Sequence, residues 1–72
     1  MDKPRRFSLV RDEDVSGVSG VGLVAYGVQF ADGVVVTRWA AAVAQTCCWA
    51  CIEDVETIHG HGGRTHIEWI DD

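Results

Sequence analysis

The Asp32-Gly33 pair constrains the fold of this chain more than any other feature. Two β-rich runs, LVAYGVQF and VVVTRW, flank it closely. Asp-Gly between such runs is typical of a two-residue hairpin turn, because both residues tolerate positive φ angles. With these two as the turn, the expected cross-strand pairs are Phe30–Val35, Val28–Thr37 and Tyr26–Trp39. Since side chains alternate between faces, we expect those six to form the core face, with Arg38 and Gly27 on the opposite face.

Three further segments are predicted to be strands. RFSLVRD alternates, with Phe7 and Leu9 on one side, and RTHIEWI alternates with Ile67 and Trp69 facing inward. TCCWAC is a short apolar run between them. The sequence therefore predicts five short strands in all.

One helix of about two turns is predicted between the last two strands. Ile52, Val55 and Ile58 recur at a spacing of three, which indicates one apolar helical side. The helix is expected to end near His59, with Gly60 in the left-handed conformation that closes many helices.

These elements predict an α+β fold that is mainly β, either a small five-stranded antiparallel sheet or an SH3-like barrel, with the short helix before the last strand. We expect one domain over residues 1–72, with residues 1–5 as a flexible arm. A chain of this length has a thin core, which self-association would supplement. Of Trp39, Trp49 and Trp69, we expect most in the core, and one left partly exposed would be a natural anchor for a partner.

The charge distribution narrows the classes of partner. Eleven acids against six bases give a net charge of −5, which argues against nucleic-acid binding. No apolar run approaches the roughly 18 residues of a membrane span, and no signal peptide is evident, so the expected location is cytoplasmic. Bases crowd the start and acids the end. They are either simply solvated or attract each other within or between subunits.

The histidines and cysteines of the chain are candidate ligands of a metal site. His59-x-His61 and Cys48-x-x-Cys51 have spacings that zinc sites use. However, Cys47 and its neighbours lie in an apolar run, where cysteine is usually a small buried hydrophobe. We therefore expect free thiols, no metal and no cofactor. His59 and His61 are expected in an exposed loop at the helix end, and His66 on the strand face opposite Ile67.

Enzyme motifs are missing from the sequence. GVSGVG lacks the Lys-Ser/Thr ending of a phosphate-binding loop and does not lead into a helix. The sequence has no nucleophile elbow and no dinucleotide fingerprint. The prediction is therefore a protein that is not an enzyme and has no catalytic residues.

A binding role fits the glycine-rich segments better. The loop DVSGVSGVG offers unhindered backbone N–H groups and two hydroxyls, and arginine adds a planar fork suited to phosphate or carboxylate. A mobile surface loop is the plain alternative. The hypothesis is a small anionic ligand, such as a nucleotide. The candidate contacts are Ser16, Gly17, Ser19, Gly20, Arg38, His59, His61 and Gly62.

Several blocks of the sequence are distinctive when taken together. They are RF-x-L-x-R, SGVSGVG, VA-x-GVQF-x-DG, V-x-RW and EDV-x-x-IHGHGG-x-T-x-IEW, spread over Arg6 to Trp69. In these blocks the chain resembles a group of small stand-alone proteins of actinobacteria, their phages and haloarchaea. The resemblance implies a complete, intracellular unit that is phage- or prophage-encoded, in the host cytoplasm in that case. It lends no catalytic or binding residues. The alternative function is then a structural or assembly role, as a phage virion protein or a subunit that binds a host factor.

Overall fold

A computed structural model describes residues 3–12, 22–60, 63 and 65–71 of the chain. Five strands and one helix occur in these ranges. They are β1 (Arg5–Arg11), β2 (Gly22–Gln29), β3 (Val35–Trp39), β4 (Thr46–Trp49), α1 (Ile52–His59) and β5 (Thr65–Trp69). The predicted class, a mainly β fold with a short helix before the last strand, is confirmed.

The strands form one sheet in the order β4-β3-β2-β1-β5, and every neighbouring pair is antiparallel. Of the two predicted forms, the five-stranded antiparallel sheet is the one observed. The helix links the two edge strands, β4 and β5, so it crosses one face of the sheet. This helix-covered face carries Phe7, Leu9, Ala25, Gly27, Val35, Thr37, Trp39 and Ile67. The opposite side, here called the outer face, carries Arg6, Ser8, Val10, Leu23, Tyr26, Val28, Val36, Arg38, Thr46, His66 and Glu68.

The predicted register of the β2–β3 hairpin is wrong by one residue. The observed pairs include Ala25–Trp39, Tyr26–Arg38 and Gln29–Val35. The turn is longer than predicted: Phe30 N–H donates to the Val34 carbonyl at 2.8 Å, and Gly33 N–H donates to the Phe30 carbonyl at 2.9 Å. Gly33 has a φ of 96°, and Asp32 Oδ1 accepts a hydrogen bond from Val34 N–H at 3.1 Å. The reason is that three loop residues with one left-handed glycine close a hairpin as well as two do.

This slip inverts the predicted faces of β2 but not those of β3. Val35, Thr37 and Trp39 lie on the helix-covered face as expected, whereas Tyr26 and Val28 face outward. Their predicted place in the core is therefore wrong, and so is that of Phe30, which is 42% exposed.

Gly27 shows why the residues of β2 that face the core are small. A Cβ atom at this position would lie 2.5 Å from Phe7 Cζ and 2.6 Å from the Val36 carbonyl oxygen. The Phe7 ring thus packs directly over the backbone of β2 and fills the space that a larger residue would need.

The core is small, as the length of the chain predicts. Phe7, Val35 and Val55 are fully buried and Leu9 is 2% exposed. Trp39, Trp49, Ile52 and Ile67 pack around this group. Burial of these side chains between one helix and one sheet face supplies most of the stabilisation, at about 1.5–3 kcal/mol for each large apolar side chain.

Two details of the predicted helix are wrong, although its length is confirmed. Ile58 is 58% exposed, so the apolar side consists of Ile52 and Val55. Gly60 has φ −68° and ψ −28°, which is right-handed. Glycine is needed there for space, because a Cβ atom would meet the Glu56 carbonyl oxygen at 2.4 Å. The left-handed position comes later, at Gly63, with φ 92°.

Candidate functional site

Arg38 lies in the middle of the outer face. Its Nη1 donates to Thr46 Oγ1 at 2.7 Å, and its backbone pairs with that of Tyr26. The groove beside it has a volume of about 540 Å³ and an almost wholly apolar surface. Leu23, Tyr26 and Ile70 in this groove are 52%, 47% and 55% exposed. An arginine next to exposed apolar groups suits contact with another molecule more than it suits a solvated surface.

His59 is the last residue of α1 and is partly buried on the other side of the sheet, so its predicted place in an exposed loop is wrong. Its ring is packed edge-on against Trp39 and Trp49, with centroids 5.1 Å and 5.4 Å away. The structure therefore does not bring Arg38 and His59 into one site, because the sheet separates them. The remaining predicted contacts lie outside the described residues. These are Ser16, Gly17, Ser19, Gly20, His61 and Gly62.

Arg11 is a basic residue at the end of the sheet where both glycine-rich segments attach. It pairs with Gly22 on β2 and with Thr65 on β5, the strand residues that follow those segments in the sequence. Arg11 is only 7% exposed and Thr65 only 5%. Within the described part of the chain, neither Arg11 Nε nor Thr65 Oγ1 has a hydrogen-bond partner.

A pocket of about 520 Å³ opens at the same end, between α1 and β5. Thr65 lines it, together with Leu9, Ile67 and the helix residue Glu56. Its surface is about equally polar and apolar, unlike the outer groove. A buried hydroxyl without a partner costs free energy, and the residue that carries this one lines the pocket.

Arg11 and Thr65 were missed by the sequence-based selection of site residues, although a signal for Arg11 existed. Phe7 and Leu9 alternate onto the helix-covered face, and Arg11 is the next residue in that alternation. An arginine at a core-facing position directly before a glycine-rich loop indicates a buried cation. No comparable signal marked Thr65.

His66 lies on the outer face of the edge strand β5, as predicted. Its Nε2 is 2.8 Å from Glu68 Oε2, and its Nδ1 is 2.7 Å from Asp12 Oδ2. These hydrogen bonds, with that to Glu68 first, raise the pKa of the His66 imidazole above its ordinary value of 6.5. The protonated ring donates to both carboxylates, so it holds the end of β1 against β5.

The basic start and the acidic end of the chain do attract each other within one molecule. Arg6 Nε and Nη2 donate to the two oxygens of Asp71 at 2.9 Å, and the Arg6 backbone N–H donates to Asp71 Oδ2 at 2.9 Å. These bonds lower the pKa of Asp71 from 3.8 to about 2. Of the two readings of this charge pattern, attraction within the subunit is the one that the structure contains.

Trp69 is the most exposed of the three indoles, at 38%, whereas Trp39 and Trp49 are partly buried against the core. The guanidinium of Arg5 lies 3.9 Å from the centre of its ring, and Phe7 meets it edge-on with centroids 5.4 Å apart. Arg5 therefore already occupies one face of this indole through a cation–π contact.

The cysteines are separate thiols. Cys47 and Cys48 are neighbours on β4 and point to opposite faces of the sheet, and Cys51 directly precedes α1. In the part of the chain that the structure describes, no cluster of His, Cys, Asp and Glu side chains has an arrangement that could hold a metal ion.

Comparison with known families shows the family of the chain. The family model of the Acb5 phage protein matches residues 4–71, nearly the whole sequence. The chain belongs to the Acb5 phage protein family. The phage association implied by the sequence blocks is thereby confirmed. No curated protein and no solved structure matches the chain. Across the described residues of this Acb5-family chain, no helix is long and apolar enough to cross a membrane.

Proposed function

We propose that this phage protein is a non-catalytic binding module for a small anionic ligand, such as a nucleotide. The site is the loop end of the sheet, around Arg11 and Thr65. One observation carries the proposal: two polar side chains that face each other across β1 and β5 are more than nine-tenths buried, and Arg11 Nε and Thr65 Oγ1 have no partner among the described residues.

The chemistry of these two groups suits an anion. A guanidinium stays charged in proteins and presents a planar fork of N–H donors that matches carboxylate and phosphate. Burial makes its charge costly unless an anion accompanies it. A ligand phosphate that accepts from Arg11 and from the hydroxyl of Thr65 would remove both costs.

Glu56 favours a ligand with more than a phosphate group. It lines the same pocket as Thr65, and its carboxylate repels a bare anion while accepting hydrogen bonds from hydroxyl or amino groups. A nucleotide carries both kinds of group, with its phosphate at one end and its donors at the other. The apolar lining by Leu9 and Ile67 suits the flat base.

Binding without catalysis follows from the residue types. Arginine and threonine orient and neutralise an anion, but neither is a general base near pH 7 without an activating partner. In this proposal the candidate loop residues Ser16, Gly17, Ser19, Gly20, His61 and Gly62 add contacts from the segments that attach at this end.

Isothermal titration with inorganic phosphate and with nucleoside mono-, di- and triphosphates tests the proposal. We expect heat with at least one nucleotide and less with phosphate alone. Arg11→Gln should weaken binding by about 100-fold, in keeping with the 1.5–3 kcal/mol of a hydrogen bond to a charged group. Thr65→Val should weaken it by about tenfold.

Arg38→Gln is the matched control, since it makes the same change on the outer face. It should leave the affinity unchanged. Loss of binding in Arg38→Gln alone would move the site to the residue that the sequence favoured. No heat with any anion, together with lower stability of Arg11→Gln, would mean that a carboxylate of the chain itself pairs with Arg11, and the proposal would fall.

A structural or assembly role is the second candidate, and the exposed apolar groups of the outer face favour it. It expects a stable complex with a phage or host protein and no affinity for small anions. Affinity capture from infected cells, compared between the wild type and Tyr26→Ala, separates the two roles. The cytoplasm of the host is the proposed location for either.

A further inference from the structure

One row of side chains runs straight across the outer face, with one residue from each strand. From the β4 edge to the β5 edge the row is Thr46, Arg38, Tyr26, Ser8 and Glu68. Tyr26, on the middle strand of the sheet, is the centre of the row. The cation lies one strand to one side of it, and the carboxylate lies two strands to the other side.

The two charged groups of this row are too far apart to pair within the subunit. Neighbouring strands are about 4.8 Å apart, so three strand spacings separate Arg38 from Glu68. Among the described residues Arg38 has a bond to Thr46 and no carboxylate partner. The Glu68 side chain is 59% exposed and is bonded to His66 through one oxygen.

Two copies of the chain can be related by a twofold axis that runs parallel to β2, between the two outer faces and beside Tyr26. The row of one copy would then lie opposite the same row of the other copy, with unlike charges near each other. Two copies packed by outer faces would then have β3 of one above β1 of the other, and β4 above β5. The Tyr26 rings would meet at the axis. Arg38 would lie opposite Ser8 of the partner subunit. Glu68 of the partner subunit would be offset from it by one strand spacing, about 4.8 Å along the sheet, and the long Arg38 and Glu68 side chains would span the roughly 10 Å between the two sheets.

We propose that the outer face binds a second copy of this chain in an isologous dimer with two Arg38–Glu68 ion pairs between subunits. The apolar groups that the dimer covers are Leu23, Tyr26, Val28, Val36 and Ile70. Five strands give a face of roughly 24 by 20 Å, or about 500 Å² for each copy. The total of about 1,000 Å² is at the lower limit for a specific interface, so the dimer is expected to dissociate on dilution.

This dimer leaves the proposed ligand pocket accessible. Thr65 and Glu56 lie on the helix-covered side of the sheet, which would face outward in both subunits. Self-association and ligand binding are therefore independent, and the failure of one would not affect the other.

Sedimentation velocity of the full chain over a wide concentration range tests the dimer. We expect a reversible monomer–dimer equilibrium. Arg38→Glu should raise the dimer Kd by about 100-fold, since it faces a like charge at two places in each dimer. Adding Glu68→Arg to that variant reverses both partners, and the Kd should return to within about threefold of the wild type.

Two further variants separate the effect of the ion pairs from that of net charge and test the apolar contact at the axis. Lys3→Glu makes the same change in net charge at an exposed position before β1, and it should leave the Kd within about threefold. Tyr26→Ala removes the ring at the axis without a change of charge and should raise the Kd by about tenfold. A monomer at every concentration, a dimer indifferent to Arg38→Glu, or no recovery in the double charge reversal would each overturn the proposal.

Discussion

The two faces of the sheet differ in what covers them, although they are made by the same five strands. On the helix-covered face, α1 buries Phe7 and Val35 completely. On the outer face, Tyr26 and Leu23, which are of similar apolar character, remain about half exposed. Strand alternation therefore sorts residues between two sides, but an additional layer decides which side becomes the core.

The two phenylalanines give the strongest test of this contrast, because one belongs to the helix-covered face and the other follows β2 at the hairpin turn, where nothing covers it fully. Phe7 is fully buried and Phe30 is 42% exposed. Phe7→Ala should cost about 3–5 kcal/mol, through lost burial and the cavity left behind. A domain of this size has roughly that much stability, so the variant should be largely unfolded. The measurement is urea unfolding followed by circular dichroism.

Phe30→Ala is the chemically identical control, and it should cost about 1 kcal/mol or less. Equal losses in the two variants would show that Phe30 is as well packed as the core. That result would contradict the 42% exposure of its side chain.

Adding a single carbon atom should also lower the folding stability on one face of the sheet and not on the other. Gly27→Ala places a methyl group 2.6 Å from the Val36 carbonyl oxygen and against the Phe7 ring. Because the backbone must shift to accept it, we expect a loss of about 1–3 kcal/mol. Val28→Ile adds one carbon at the next residue, which faces the outer groove, and it should change stability by less than about 0.5 kcal/mol. A tolerated alanine at Gly27 would mean that β1 and β2 are not as closely packed as described.

How much of the fold the sequence could predict depended on the kind of signal. The type and order of the elements, and the length of α1, came from periodicities that act within one segment, and these predictions are confirmed. The register of the hairpin depended on whether Asp32 and Gly33 form a two-residue turn or belong to a three-residue loop, and a one-residue difference in the turn inverts a whole strand. Tyr26 and Val28 seemed to belong to the core because they are large, yet Gly27 is the residue that faces Phe7.

The candidate site was less predictable for a physical reason. Glycine-rich loops and arginines on strands are visible in a sequence, and they led to the loop residues and to Arg38. A buried polar group becomes notable only when its missing partner is known, and that requires the three-dimensional neighbours of Arg11 and Thr65. The alternation of β1 could have placed Arg11 inward, but it could not have shown that Thr65 lies directly across from it.

The smallest expected effect lies at the edge of the outer face and appears only as pH is varied. Hydrogen bonds to Glu68 and Asp12 raise the folded-state pKa of His66 above 6.5. A raised folded pKa means that folding favours the protonated ring, so this stabilisation is complete below pH 6.5 and is lost as pH rises through the folded pKa. Neutral imidazole has one N–H, so above that pH only one carboxylate can accept from it.

Urea unfolding between pH 5 and pH 9 should therefore show stability falling across neutral pH. His66→Gln should flatten that slope, because its amide does not titrate. NMR titration of the His66 ring in the folded chain supplies the pKa itself. A pKa at or below 6.5 would indicate that the two carboxylates do not hold the ring in solution. An unchanged slope in His66→Gln would place the pH dependence in another group of the chain.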